Sequence, residues 1–379
     1  MPRNHARTCL PLCALCVSAV SAAGSDFADA LVEYRPAPGQ FVNNPLFNDP
    51  AAALGAPVGN GAADPSNDKV VTLGGFGGSI TLRFSQTVMD DCCNPWGLDA
   101  IVYGNAFWAG GDASRRFAEG GIIEISRDVN GNGIADDAWY VVRAPVMPAV
   151  PATVLQSQAW DTNAGTPTPP ANTSWYPAPP WFVGWPPSYV TQTFRLPPML
   201  EVSVLVNPGG PGATVEAYWG LADLSPTMVL GDLDGDGLVD DPMVGPEEFY
   251  TAPDNPFEVG LTPGSGGGDA FDIAWAVDPQ TGTAAGLDGF DFIRISTGAS
   301  RVDFVLGEMS TEVGGVARVR SRPGFFDLTG DGVVDVEDLY AFEAAAVDLT
   351  GDGVADDGDR RLLRRCIRRD EAGDTGWRP

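Results

Sequence analysis

Four stretches of this sequence place oxygen-bearing side chains at every second position around paired glycines, the spacing of a loop that wraps a hard cation. Two of them stand in tandem near the C-terminus, twenty-one residues apart: DLTGDGVVDVED over 327–338 and DLTGDGVADDGD over 348–359. Calcium takes six to eight oxygens, which a twelve-residue loop supplies from positions one, three, five, seven through its carbonyl, nine and twelve. In the first loop these are Asp327, Thr329, Asp331, Val333, Asp335 and Asp338; in the second they are Asp348, Thr350, Asp352, Val354, Asp356 and Asp359. Gly332 and Gly353 occupy position six, where the chain turns sharply. Two further stretches are shorter versions. DVNGNGIADD over 128–137 offers Asp128, Asn130, Asn132 and Asp136, and DLDGDGLVDD over 232–241 offers Asp232, Asp234, Asp236 and Asp240. Trp139 and Met243 stand at position twelve, so Asp137 and Asp241 at position ten would close these shells. Each reads either as a calcium clip between strands or as an Asx-rich turn, and the count of oxygen ligands favours calcium.

The tandem pair needs elements to hold it. Composition changes near Ser321-Arg322-Pro323-Gly324, which marks residues 321–379 as a separate, small all-α module. Leu339, Phe342 and Ala346 would form one helical face after the first loop, and Leu362, Leu363, Cys366 and Ile367 another after the second. A unit this small has too little core to fold comfortably alone, which makes calcium its folding cofactor. Asp stands at position twelve where an EF-hand carries Glu, and Pro323-Gly324 leaves no helix entering the first loop. Two loop–helix halves of this kind, over residues 327 to about 369, resemble the type I dockerin family. That resemblance implies a docking module whose partner is a cohesin-like protein. Where family members often carry Ser-Thr at positions ten and eleven, this chain has Val336-Glu337 and Asp357-Gly358. Arg360, Arg361, Arg364, Arg365, Arg368 and Arg369 load the second helix, either as a face for an acidic partner or as a solvated face neutralising the acidic loops.

Residues 30–320 read as mainly β, a β-sandwich or jelly-roll-like domain built of short strands between turn signals. Strands are expected at Ser79–Phe84, Ala100–Tyr103, Gly121–Ser126, Trp139–Val142, Glu201–Val206, Ala213–Trp219, Phe290–Ser296 and Val302–Leu306. Residues 144–189, rich in proline with Trp160, Trp175, Trp181 and Trp185, read as a flap over the sandwich or as an aromatic platform for a polysaccharide. Through 34–41 (YRPAPGQF), 73–80 (LGGFGGSI), 102–107 (VYGNAF) and 290–294 (FDFIR), this domain is similar to a family of bacterial secreted and cell-surface proteins, which brings no catalytic residues with it.

Residues 1–23 read as a signal peptide: Arg3 and Arg7, an apolar run from Cys9 to Val20, then small residues. The expected location is therefore secreted, extracellular or at the cell surface, with no membrane span. Losing Arg3 and Arg7 with the leader would move the formal charge from -28 to -30. Such acidity argues against nucleic acid as a partner. The sole histidine, His5, lies in the leader, so imidazole-dependent hydrolysis and ordinary zinc catalysis are excluded. Only carboxylate chemistry such as glycoside hydrolysis stays open, through acids like Glu119, Glu124, Glu216, Glu247, Glu248 and Glu258, and no spacing pairs them. A non-catalytic extracellular module is the preferred reading. A polysaccharide-degrading or carbohydrate-binding protein is the second, and calcium loops that only staple the structure are the third. Cys92, Cys93 and Cys366 remain after the leader, an odd number that allows a vicinal bond or one long-range bridge.

Overall fold

The computed structural model describes residues 25–371 apart from 38–40, 43, 76–77, 112, 114–115, 144–152, 155–198, 201–221, 259, 299–301, 304–306 and 309. The expected leader, the proline- and tryptophan-rich stretch apart from Thr153–Val154, and the strands at 201–206 and 213–219 lie outside the described residues.

The fold is mainly β, with antiparallel sheets. Its strands are β1 Ala30–Arg35, β2 Val71–Thr72, β3 Ser79–Met89, β4 Ala100–Tyr103, β5 Gly121–Ser126, β6 Trp139–Val142, β7 Asp269–Phe271, β8 Ala276–Val277, β9 Gly289–Thr297, β10 Glu312–Val313 and β11 Gly315–Arg318. The larger sheet runs β1-β3-β9-β5-β6-β8, a smaller one runs β7-β4-β11, and β10 pairs with β2. Further two-residue pairs join Phe107–Trp108 to Arg116–Phe117, Thr153–Val154 to Met199–Leu200 and Val302–Asp303 to Gly307–Glu308.

Alternation drives the layering. Ile80, Leu82 and Phe84 of β3, Ile123 and Ile125 of β5, and Ile293 and Ile295 of β9 point to one face of the large sheet. There they meet Ala100 and Val102 of β4, Phe271 of β7 and Val316 of β11, so both sheets share one core. The other face of β4, Ile101 and Tyr103, packs on Phe27, Leu98, Met228, Phe249 and Tyr250. Burial on both faces explains why AIVY is apolar throughout. The expected strands at 100–103, 121–126 and 139–142 match in their bounds. The one at Ser79–Phe84 extends to Met89 because Thr87 and Val88 continue the alternation, with Val88 inward.

The tail begins with a 3-10 turn at Pro323–Phe325 and contains two helices, α1 Val336–Ala344 and α2 Asp357–Glu371. Phe342, Leu362, Leu363, Cys366 and Ile367 form a small core with Phe326, Val334 and Leu349. Ala346 is not part of it: α1 ends at Ala344, which leaves Ala346 exposed on the connection, and Leu349 from the second loop fills the space instead. No helix among the described residues is long and apolar enough to cross a membrane.

Candidate calcium sites

All four acidic loops adopt one backbone. Glycines at positions four and six (Gly131 and Gly133, Gly235 and Gly237, Gly330 and Gly332, Gly351 and Gly353) all have φ between +68° and +87°, the left-handed region where a Cβ is strained. The position-one carboxylate bends back over this turn and accepts the position-six N–H: Asp128 from Gly133 at 2.7 Å, Asp232 from Gly237 at 3.0 Å, Asp327 from Gly332 at 2.7 Å and Asp348 from Gly353 at 2.7 Å. At position five, Asn132, Asp236, Asp331 and Asp352 accept from the N–H of position seven at 2.7–2.9 Å. Position seven is asked only for its carbonyl, and Ile134, Leu238, Val333 and Val354 all leave their apolar side chains exposed.

Closure divides the loops into two kinds. In the tail, position twelve lies in the first turn of a helix and is fully buried. Asp338 accepts from Thr329 N at 3.0 Å and Asp335 N at 2.8 Å; Asp359 accepts from Leu349 N and Thr350 N at 2.8 Å and from Asp356 N at 2.6 Å. Positions nine and twelve of the first loop are at the same time the capping box of α1, with Asp335 as N-cap. One pair of carboxylates therefore shuts the loop and starts the helix.

In the β-rich body the loops join other structure. Residues 128–137 connect the paired strands β5 and β6, and Asp137 at position ten closes the turn by accepting from Val129 N at 3.0 Å. Asp128 is anchored through its own N–H to Asp291 at 2.8 Å. Asp136 accepts from the amides of Asn130 and Asn132 at 3.2 Å, which gathers the ligand positions. In the loop at 232–241 the Asp241 carboxylate turns away to accept from Met243 N at 2.9 Å, and closure falls to the Asp240 and Asp241 N–H groups on the Gly231 carbonyl at 2.8 and 3.0 Å.

Electrostatics separates the loops further. Asp327 is held below the usual carboxylate range by N–H bonds, that from Gly332 first. Burial pushes Asp359 up, but the N–H groups of Asp356, Thr350 and Leu349 outweigh it and bring it below the ordinary value. Asp232 moves the other way. Burial raises it, the Gly237 and Gly235 N–H groups offset part of that, and the charges of Asp236 and Asp234 raise it again. Oxygens of Asp232, Asp234 and Asp236 lie within 4.8 Å of one another, where the tail loops have a neutral threonine at position three. Converging anions of this kind are relieved by a cation. The donor set is oxygen throughout, which fits calcium and not a metal that prefers nitrogen or sulfur. Bound calcium would cross-link each loop through these ligands; it supplies no other chemistry here.

Of the acids singled out outside the loops, Glu216 lies outside the described residues, and Glu119, Glu124 and Glu247 each engage other partners rather than one another. Glu124 is buried against Arg294 at 3.6 Å, and Glu247 pairs with Arg320 at 3.0 Å. Glu119 accepts from Ser310 N at 3.2 Å; its side chain hydrogen-bonds to that of Glu312, whose carboxyl is pushed up by burial first and by Glu119 next. Two groups in direct contact leave no room for a sugar between them. Nothing in the sequence marks Glu312, which reads as an ordinary strand residue, or the residues that hold the tail. Cys93 and Cys366 form a disulfide, and Cys92, buried beside it, is outside the bond. No protein-family model matches the chain, and no curated protein matches it either.

Proposed function

We propose that the chain is a secreted calcium-binding protein whose tail, with calcium in both tandem loops, is a dockerin-like docking module for a cohesin-like partner. In this reading the body is a non-catalytic β-sandwich, supported by two sheets sharing one core. The observation that carries it is the closure of the tail loops. Asp338 and Asp359 bring the twelfth oxygen back onto positions three and nine, and Asp359 onto position two as well, while opening a helix, as a calcium loop followed by a helix requires. The loops of the body fit calcium as clips within the β structure.

One observation favours a second reading, in which the tail loops staple the protein without an outside partner. The Asn255 side chain of the body donates to the Gly351 carbonyl of the second loop at 2.9 Å, so part of the module already has a seat on its own chain. Calorimetric titration of the full chain with calcium, followed by capture on immobilised cohesin modules with and without chelator, separates the two. Saturable heat that Asp327→Ala and Asp348→Ala each reduce, with capture only in calcium, supports docking. Heat without capture supports the staple, and the absence of heat overturns both.

A further inference from the structure

Cys93 and Cys366 are 273 residues apart in sequence, and their Cα atoms stand 5.2 Å apart across the disulfide. Cys93 belongs to a turn of the body that a buried carboxylate fixes in place. Asp99 accepts from Asp91 N at 2.8 Å, Asn94 Nδ2 at 3.0 Å and Ile273 N at 2.9 Å, which ties the turn to the strands. Cys366 lies in α2 with 1% exposure, inside the core of the tail. Around the bridge the contacts are just as local. Trp96 of the same turn meets Phe325 edge-on at 5.5 Å, Asp90 accepts from Arg365 at 3.1 Å, and Ser321 Oγ donates to the Cys93 carbonyl at 3.3 Å.

The second loop reaches this seat from the other side. Gly351, its position four, is buried, whereas its counterpart Gly330 in the first loop is exposed. A Cβ on Gly351 would stand 2.7 Å from both Asn255 Nδ2 and Trp96 Cδ1. The loop ends at Asp359 in the first turn of α2, and Cys366 comes seven residues later, two helical turns or about 10 Å along the axis. Whatever fixes Asp359 on the loop therefore fixes where Cys366 meets the body.

We propose that calcium in the second loop and closure of the Cys93–Cys366 bridge are reciprocally coupled, which makes the tail a calcium-gated covalent clamp on the β-rich body. The proposal rests on the calcium reading of this loop. With the ligands from Asp348 to Asp359 satisfied, α2 is held in register and the bridge is shielded by Phe326, Leu362, Leu363 and Ile367. Without the cation, the loop carries four carboxylates at ligand positions with no metal to bind them, joined to a core of few side chains, and the seat loosens. The register also bears on the pairing, because the sulfurs of Cys92 and Cys93 lie within 4.8 Å of each other, and Cys92 shares the apolar cluster that holds Cys366. Opening is ordinary exchange. A thiolate of a dithiol reductant attacks one sulfur of the bridge and displaces a cysteine thiolate, which takes up a proton. The second thiol of the reductant then attacks the mixed disulfide and frees the other cysteine; two electrons and two protons pass to the protein and the reductant leaves as a cyclic disulfide. By linkage, the factor by which the bridge tightens calcium equals the factor by which calcium disfavours reduction.

The test uses the oxidised full chain with dithiothreitol, in saturating calcium or in chelator, with released thiols alkylated and located by mass spectrometry. Reduction of Cys93–Cys366 is expected to slow on the order of tenfold in calcium, and in redox buffers of graded potential its equilibrium is expected to shift by a similar factor. Calorimetry on Cys366→Ala should show one calcium site weakened by that same equilibrium factor. Equal reduction in calcium and chelator, with calcium heat present and unchanged in Cys366→Ala, overturns the coupling and leaves the calcium reading standing. No calcium heat in the unaltered chain removes both. The reduction experiment needs no substitution, so a variant that fails to fold does not blunt it.

Discussion

The two acidic loops of the tail and the two of the body share a turn and differ in the element that comes after it. In the tail a helix begins at position ten, which brings a buried Asp338 or Asp359 back onto the loop at position twelve. In the body the next element is a strand or a turn, the twelfth residue is Trp139 or Met243, and closure falls to Asp137 or to backbone N–H groups on Gly231. The same ten residues can thus make a loop closed by the helix after it or a connection between β elements, according to the next element. The tail has one small apolar core between its loops and helices, whereas the body has two larger cores, the first of them formed without residues of its acidic loops.

The largest effect that would break this contrast is expected at position twelve. Asp359→Ala removes a proposed calcium ligand and leaves three N–H groups, that of Leu349 in a buried bond and those of Thr350 and Asp356 in half-buried ones, without their acceptor. Their loss, together with the calcium contribution of about 2.7 kcal/mol at a hundredfold excess over the dissociation constant, should destabilise the tail by more than about 3 kcal/mol. Asp137→Ala, which loses one exposed N–H bond, should shift the body by about 1 kcal/mol or less. Thermal melts in calcium, read by near-UV dichroism and by proteolysis between residues 321 and 371, would show it. Equal shifts in the two variants would mean that closure is not what separates the loops.

Acid should act on the two regions with opposite sign. Asp254, in the body, is raised to about 6, by burial first, although the Thr262 N–H and hydroxyl oppose it. Between its unfolded value near 4 and about 6 the folded state holds a proton that the unfolded chain lacks, so this group stabilises the body as pH falls through that window. Asp327 and Asp359 are lowered, so the stability they contribute is present above the unfolded value and is lost as pH falls through their folded values. Asp254→Asn keeps an oxygen for Thr262 N and should flatten the slope of body stability between pH 6 and 4, a span of at most about 3 kcal/mol. Denaturant titrations of variant and parent across that range would measure it; an unchanged slope would show that Asp254 is ionised in the fold.

Much of the body was legible because burial repeats along a strand. GIIEIS at 121–126 and AIVY at 100–103 announce themselves by apolar content between turns. The loop backbone was legible for a similar reason, since glycine at positions four and six has a cause that a sequence displays. The joint between tail and body was not. Trp96, Asn255, Asp90 and Asp99 lie far from the tail in sequence, and none stands in a pattern. The bridge was one of two readings that three cysteines allow, and only the packing of α2 against the 91–97 turn distinguishes Cys93 from its neighbour. Ala346 failed for a local reason: its spacing continues a helical stripe, but α1 stops at Ala344, before that spacing applies.

The smallest effect compares two glycines that the repeat makes equivalent. Gly330 and Gly351 have φ of +75° and +76°, so alanine at either strains the loop by about 1 kcal/mol. Nothing stands within 4 Å of a Cβ on Gly330, while one on Gly351 meets Asn255 and Trp96 at 2.7 Å. Relieving that collision requires the second loop to withdraw from the body, with loss of the Asn255 hydrogen bond, which adds about 1 kcal/mol. Gly351→Ala should therefore melt lower than Gly330→Ala by about that amount, in chelator as well as in calcium. It should also speed reduction of the Cys93–Cys366 bridge, which Gly330→Ala should leave near the parent rate. If the two alanines behave alike in both measurements, the contact between the second loop and Asn255 does not persist in solution, and the clamp is held by the disulfide and the core around it alone.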